Sequence, residues 1–169
     1  MEILVVDGYN VIGASIELSE LKEVSLEESR NRLQEDLMEY SAYTGRKVIL
    51  VYDAHLTKGT TSKTTMNNIE VHFTNEGKTA DEYIEKLVAG LIKPKSNTKV
   101  YVATSDLLEQ RLVFGLGALR VSSRELLIEI KMMKDQISND IHRHSAVSPR
   151  MNRRINPEIA KIFESWRRQ

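Results

Sequence analysis

Three apolar runs punctuate an otherwise polar chain: Ile3-Leu4-Val5-Val6, Val48-Ile49-Leu50-Val51-Tyr52 and Val100-Tyr101-Val102-Ala103. Each is continuous rather than alternating, the pattern of strands covered on both faces in a parallel sheet. Between the first two, Leu26, Leu33, Leu37 and Tyr40 recur at helical spacing and give one buried stripe. Ser25 with Glu28 three residues on reads as a capping box that starts this helix, and Gly45 stops it. A shorter strand is expected from Ile69 to Phe73, then a helix opening at Thr79 with Ile84, Leu87, Val88 and Leu91 on its inner face. Strands alternating with helices predict an α/β fold, a mainly parallel central sheet flanked by helices.

Two stretches break this rhythm. Residues 56–68 are rich in Thr, Ser, Asn and Lys and read as a mobile loop. Phe114-Gly115-Leu116-Gly117-Ala118 reads as a glycine-hinged turn ahead of a long helix that begins near Ser122 or Ser123. After His144 the chain turns Ser-, Pro- and Arg-rich, and Asn156-Pro157 opens a last helix carrying Ile159, Ile162, Phe163 and Trp166.

At 169 residues the chain is expected to form a single domain over 1–169, with a basic helical C-terminal part from about 131 to 169. A hydrophobic share of 41% with 28% charged residues excludes a disordered chain. No run approaches the roughly 18 apolar residues of a membrane span, and no basic leader precedes the first strand, so no membrane partner is expected. With no cysteine, disulfides and thiolate metal sites are excluded, and a cytoplasmic location is expected. The formal charge is zero but unevenly spread: residues 1–106 carry a net −5 and residues 107–169 a net +5. That division suits a molecule that gathers cations in one place and a polyanion in another.

The carboxylates give the division chemical meaning. The first strand runs into Asp7, the second into Asp53, and the third through Thr104-Ser105 into Asp106. In an open parallel sheet ligands bind at the carboxyl ends of strands, so these acids share one edge. Asp81-Glu82 join them from the first turn of the helix begun at Thr79. Any one of these acids is unremarkable at a helix or strand end, but a converging set repels itself unless a cation lies between its members. All-oxygen ligands point to Mg²⁺ or Mn²⁺ rather than zinc, and such ions activate water for attack on a phosphodiester. In Asp7-Gly8-Tyr9-Asn10, Gly8 permits a sharp turn or a close approach, and the Asn10 amide can position a carboxylate or phosphate. Tyr9 suits either base stacking or a cover over the core.

Val6-Asp7-Gly8-Tyr9-Asn10, Tyr52-Asp53-Ala54-His55, Thr79-Ala80-Asp81-Glu82, Ala103-Thr104-Ser105-Asp106, and Gly115-Leu116-Gly117-Ala118-Leu119-Arg120 with Ser123-Arg124-Glu125-Leu126 together resemble the YacP-like group of NYN ribonucleases, within the PIN-like nuclease superfamily. The resemblance covers most of residues 1–130, and the Trp166-Arg167-Arg168 ending is also similar. It implies a PIN-like (NYN) three-layer fold and a metal-dependent endoribonuclease site on Asp7, Asp81 and Asp106. Asn10, Asp53 and Glu82 are its expected supporting members. The family includes a ribosome-associated endoribonuclease that cleaves messenger RNA during translation in Gram-positive bacteria, so mRNA and the ribosome are the partners the resemblance implies.

Under this reading Asp7, Asp81 and Asp106 hold the metal with Asp53 and Glu82 as further ligands, while Asn10 and Ser105 orient the phosphate. RNA or the ribosome would meet Arg111, Arg120 and Arg124 around the glycine turn and Lys58 and Lys63 in the polar segment, since cations supply most non-specific affinity for RNA. Arg150, Arg153, Arg154, Arg167 and Arg168 form a more diffuse basic tail. The histidines His55, His72, His142 and His144 show no pairing with a nucleophile and are expected in surface or packing roles. A phospho-accepting receiver would want paired acids after the first strand, and a haloacid-type phosphatase an acid at position 9; the chain has Asp7-Gly8 and Tyr9. The remaining alternative is a catalytically silent RNA- or ribosome-binding adaptor of the same fold.

Overall fold

The computed structural model describes residues 1–53, 63–66, 68–75, 77–93 and 97–147. In chain order the elements are β1 (Glu2–Asp7), α1 (Gly8–Ala14), α2 (Ile16–Val24), α3 (Leu26–Thr44), β2 (Lys47–Tyr52), β3 (Lys63–Met66), β4 (Ile69–Phe73), α4 (Ala80–Leu91), β5 (Lys99–Ala103), α5 (Leu107–Gly115), β6 (Leu119–Val121) and α6 (Ser123–Val147). The chain divides into two compact units, Met1–Lys131 and Met132–Gln169. α6 crosses the division; the sheet and all residues of the site below belong to the first unit.

The six strands lie in the order β3-β4-β2-β1-β5-β6. Among the described residues only the β3–β4 pairing is antiparallel; β4, β2, β1, β5 and β6 run parallel. From β1 the chain builds outward on one side through β2 and β4, then crosses back by way of α4 to build the other side through β5 and β6. The gap between β1 and β5 is therefore the point where strand order reverses, the place where open α/β sheets bind ligands. Register makes the point concrete: Val6 faces Ala103 and Asp7 faces Val51, so the residues that follow these strands emerge together.

Alternate residues of the apolar runs serve opposite faces, as the strand period requires. Ile3, Val5, Ile49, Val51, Val100 and Val102 form one core with Ala80, Ile84 and Val88 of α4 and Val113 of α5. The stripe expected on α4 is the one that packs, with Leu87 and Leu91 at its margin. α1 and α3 pack on β2, and Leu33, Leu37 and Tyr40 of α3 are fully buried. Ser25 caps α3 through the Glu28 N–H, and Gly45, at φ +72°, ends it in the left-handed region that favours glycine.

Three expectations are corrected. The connection between the first two strands holds three helices rather than one, because Asp7 and Ser15 cap short helices ahead of α3. The polar stretch 56–68 is not wholly loop: Lys63–Met66 forms the edge strand β3, its outer position leaving Thr64 and Thr65 exposed and its sequence without apolar alternation. Phe114 and Gly115 finish α5, the turn itself is Leu116-Gly117 with Gly117 at φ +95°, and β6 intervenes before the long helix. The last helix expected from Asn156 lies outside the described residues.

Candidate active site

Asp7 is the last residue of β1 and the N-cap of α1. Its Oδ1 accepts the Asn10 N–H at 3.2 Å. Gly8 follows because nothing larger fits: a Cβ there would lie 2.2 Å from Cε1 of Tyr52, which is fully buried at the end of β2. The glycine thus serves close approach, holding the β1–α1 corner against the sheet. Tyr9 packs over the same tyrosine, with ring centroids 5.0 Å apart, and its hydroxyl accepts from Arg30 at 3.3 Å. It covers the core.

Asp81 enters from the first turn of α4, a helix whose Thr79 cap accepts the Glu82 N–H. The third acid is Glu109, on the first turn of α5. Asp7, Asp81 and Glu109 each offer a carboxylate oxygen, and the three oxygens lie within 4.8 Å of one another. Glu109 is only 3% exposed, and neither of its oxygens meets a hydrogen-bond partner of good geometry. A buried carboxylate left this way is costly unless something else satisfies it.

Electrostatics agree with the geometry. Burial, with the nearby charges of Asp81 and Asp106, pushes Asp7 up to about 6 against the pull of the Asn10 N–H. Glu109 is pushed up to about 7, first by burial and then by Asp7, Asp81 and Asp106, with the neighbouring Thr104 hydroxyl offsetting part of the rise. Asp81 is also raised, by burial and by the charges of Asp106 and Asp53. Each acid makes the others harder to ionise, and a cation among them reverses that. The donor set is all oxygen and includes an orphaned buried carboxylate, so it fits a hard divalent ion such as Mg²⁺ or Mn²⁺.

The remaining expected residues take different places. Asp106 stands beside the three acids as the N-cap of α5, its Oδ1 accepting the N–H groups of Leu108 at 2.7 Å and Glu109 at 3.2 Å. Asp53 follows β2 and its charge acts on Asp81 and Tyr9. Glu82 faces a separate cleft of about 270 Å³ with Asn75, Lys78, Tyr83, Lys86 and Leu87. Asn10, expected to orient a phosphate, uses its Oδ1 to hold the site together: it accepts the Ser105 N–H at 2.8 Å and the Ser123 hydroxyl at 2.7 Å. One side chain thereby ties α1 to the end of β5 and the start of α6.

Arg111 and Arg120 line a cleft of about 400 Å³ with Leu107, Gln110 and Phe114, and Arg124 is exposed on the first turn of α6. Lys58 and His55 lie outside the described residues, and Lys63 is described only as the first residue of β3. His72 is buried in β4, within 3.0 Å of both Glu70 and the Tyr83 hydroxyl, a packing role. Among the described residues no helix is long and apolar enough to cross a membrane.

The model of the YacP-like NYN domain family matches residues 4–168. The uncharacterized protein YacP of Bacillus subtilis strain 168 is 46% identical over 168 residues, spanning 99% of this chain and 98% of that one. The crystal structure of Rae1 (YacP) from Bacillus subtilis superposes with a TM-score of 0.75 at 46% identity, covering 99% of this chain and 95% of that one. A tryptophan-to-leucine variant of the same protein gives a TM-score of 0.75 at 44% identity, covering 86% of this chain and 85% of that one.

Proposed function

The chain belongs to the YacP-like NYN domain family, and from that premise we propose that it is a divalent-metal-dependent endoribonuclease whose reaction centre is built from Asp7, Asp81 and Glu109. The observation that carries the proposal is the convergence of these acids from three elements at the β1–β5 switch point, one of them buried with no hydrogen bond of good geometry. Bound there, Mg²⁺ or Mn²⁺ would lower the pKa of a water and neutralise charge on a phosphodiester.

The chain's own residues prepare for that chemistry. Without a cation Asp7 holds its proton up to about pH 6 and Glu109 up to about pH 7, and a bound cation drives both to release it at lower pH. Asp106 fixes the first turn of α5, which sets the position of Glu109. Asn10 fixes the Thr104-Ser105-Asp106 corner relative to Asp7. Such fixed placement limits the reorganisation needed when charge develops on a substrate.

The substrate in this reading is messenger RNA, and the resemblance to a ribosome-associated endoribonuclease supports cutting during translation. One message supplied free and in a translating extract, with the intact chain and with Asp7→Asn, tests it. Cleavage confined to the translated message and lost in the variant supports the ribosome-linked reading. Cleavage of both forms alike reduces the function to a general ribonuclease, and cleavage of neither favours the silent adaptor.

A further inference from the structure

The α5–β6 cleft presents an unusual surface for a helix flank. Phe114 is 66% exposed and Leu107 69%, while the polar residues Glu109 and Gln110 of the same helix are buried. Apart from the buried Val113, the large apolar side chains of α5 thus face outward, beginning one residue after Asp106. Among the described residues its cleft of about 400 Å³ is lined by Leu107, Gln110, Arg111, Phe114 and Arg120, which bring two guanidinium groups and no carboxylate.

The cleft is also connected to the acidic site. Gln110 donates through Nε2 to the Thr104 carbonyl at 2.6 Å, and its Oε1 accepts from Arg120 Nη1 at 3.2 Å. Thr104 leads into Ser105 and Asp106, and Ser105 is held by Asn10. A buried amide therefore places Arg120 relative to the carboxylates.

We infer that this cleft is a nucleobase subsite, in which an unpaired base of single-stranded RNA stacks on Phe114 while Arg111 and Arg120 hold the adjoining phosphates. The inference rests on the nuclease reading and adds to it a preference for unpaired RNA beside the scissile bond. An exposed aromatic side chain next to two guanidinium groups, that of Arg120 held by Gln110, accepts any base, because every base has a π face and every linkage a negative charge. A nucleic-acid strand presents a negative charge at every linkage beside each base, whereas a protein helix would have to place acids against both arginines, so the charge favours the polyanion.

The test measures binding of a fluorescein-labelled, unstructured RNA of about ten nucleotides to the full chain in chelator, by anisotropy, alongside a blunt RNA duplex. Phe114→Ala weakens single-strand binding about 5- to 150-fold, the range expected for loss of one base–aromatic stack, and leaves duplex binding within about twofold. Phe114→Tyr restores binding and Phe114→Leu does not; Arg120→Ala weakens binding and lessens its salt dependence. The subsite is overturned if the intact chain fails to bind the single strand, if Phe114→Ala binds it as the intact chain does, or if Phe114→Leu restores it fully. It is likewise overturned if Phe114→Ala changes only the oligomeric state, which would assign the face to a protein. Binding without any metal-dependent cleavage defeats the nuclease reading while leaving the Phe114 comparison readable, so the two failures are distinct.

Discussion

One carboxylate oxygen of Glu109 and one of Asp7 lie within 4.8 Å of each other in a floor where both residues are buried. Two acids held so close resist double ionisation, and Glu109 has no hydrogen bond of good geometry to offset its burial. Glu109→Gln keeps the shape and removes the charge. At pH 8 in chelator this variant should be at least as stable as the natural chain, while its affinity for Mg²⁺ or Mn²⁺ falls more than about tenfold, since even outer residues of metal sites contribute 10- to 100-fold. Paired thermal melts and metal titrations check this; unchanged metal affinity would leave Glu109 a structural residue.

The raised acids make stability depend on pH in a definite direction. Asp7 at about 6 and Glu109 at about 7 stand above their ordinary 3.8 and 4.5, so the folded chain holds more protons than the unfolded one across that window. Their stabilising protonation is complete below about pH 4 and is lost as pH rises through 6 and 7, a change on the order of a few kcal/mol. Urea midpoints in chelator at pH 5 and pH 8 should show this fall, and Asp7→Asn should show a smaller one. A divalent ion acts oppositely: its thermal shift should be larger at pH 8 than at pH 5.5, because fewer protons must be displaced.

Asn10 is a positioning residue. Its Oδ1 joins the exposed Ser105 N–H and the buried Ser123 hydroxyl, so Asn10→Ala leaves the Ser123 hydroxyl buried without that partner and should destabilise the fold by about 1–3 kcal/mol. Because the Ser105-Asp106 corner then loosens, the turnover rate should fall more than the Michaelis constant rises. A variant that loses stability but keeps its turnover rate would show that the bond serves the fold alone.

The legibility of the site followed the apolar runs. Asp7, Asp53 and Asp106 each terminate or closely follow a continuous hydrophobic run, and Asp81 follows a recognisable helix cap at Thr79, so strand ends mark three of these acids and a cap the fourth. Glu109 was hidden by an inverted helix: Leu107, Leu108 and Leu112 of α5 are exposed while Glu109 and Gln110 are buried, so no inward apolar stripe marks the segment. The available signal was local, an aspartate N-cap with a glutamate at the third helical position, the same spacing that revealed α3. β3 and β6 escaped notice because four- and three-residue edge strands carry too little period-2 pattern to register.

Gly8 gives a stability prediction independent of metal. Its backbone lies against the Tyr52 ring, and Tyr52 is fully buried with Tyr9 and Phe73 packed on it. Gly8→Ala should cost about 3 kcal/mol or more, the upper range for overpacking. Combining it with Tyr52→Leu, which makes space, should recover part of the loss in a double-mutant cycle. Strict additivity of the two changes would refute the steric account.

In the proposed reaction the acid floor at the β1–β5 switch point binds a divalent ion to cut RNA. The most direct measurement is cleavage of an end-labelled single-stranded RNA by the natural chain and by Asp7→Asn, each titrated with Mg²⁺ or Mn²⁺. Internal cuts that appear with the metal, vanish with chelator and are absent from a folded Asp7→Asn variant are the predicted result. Cleavage that persists in chelator, or in Asp7→Asn, would contradict it.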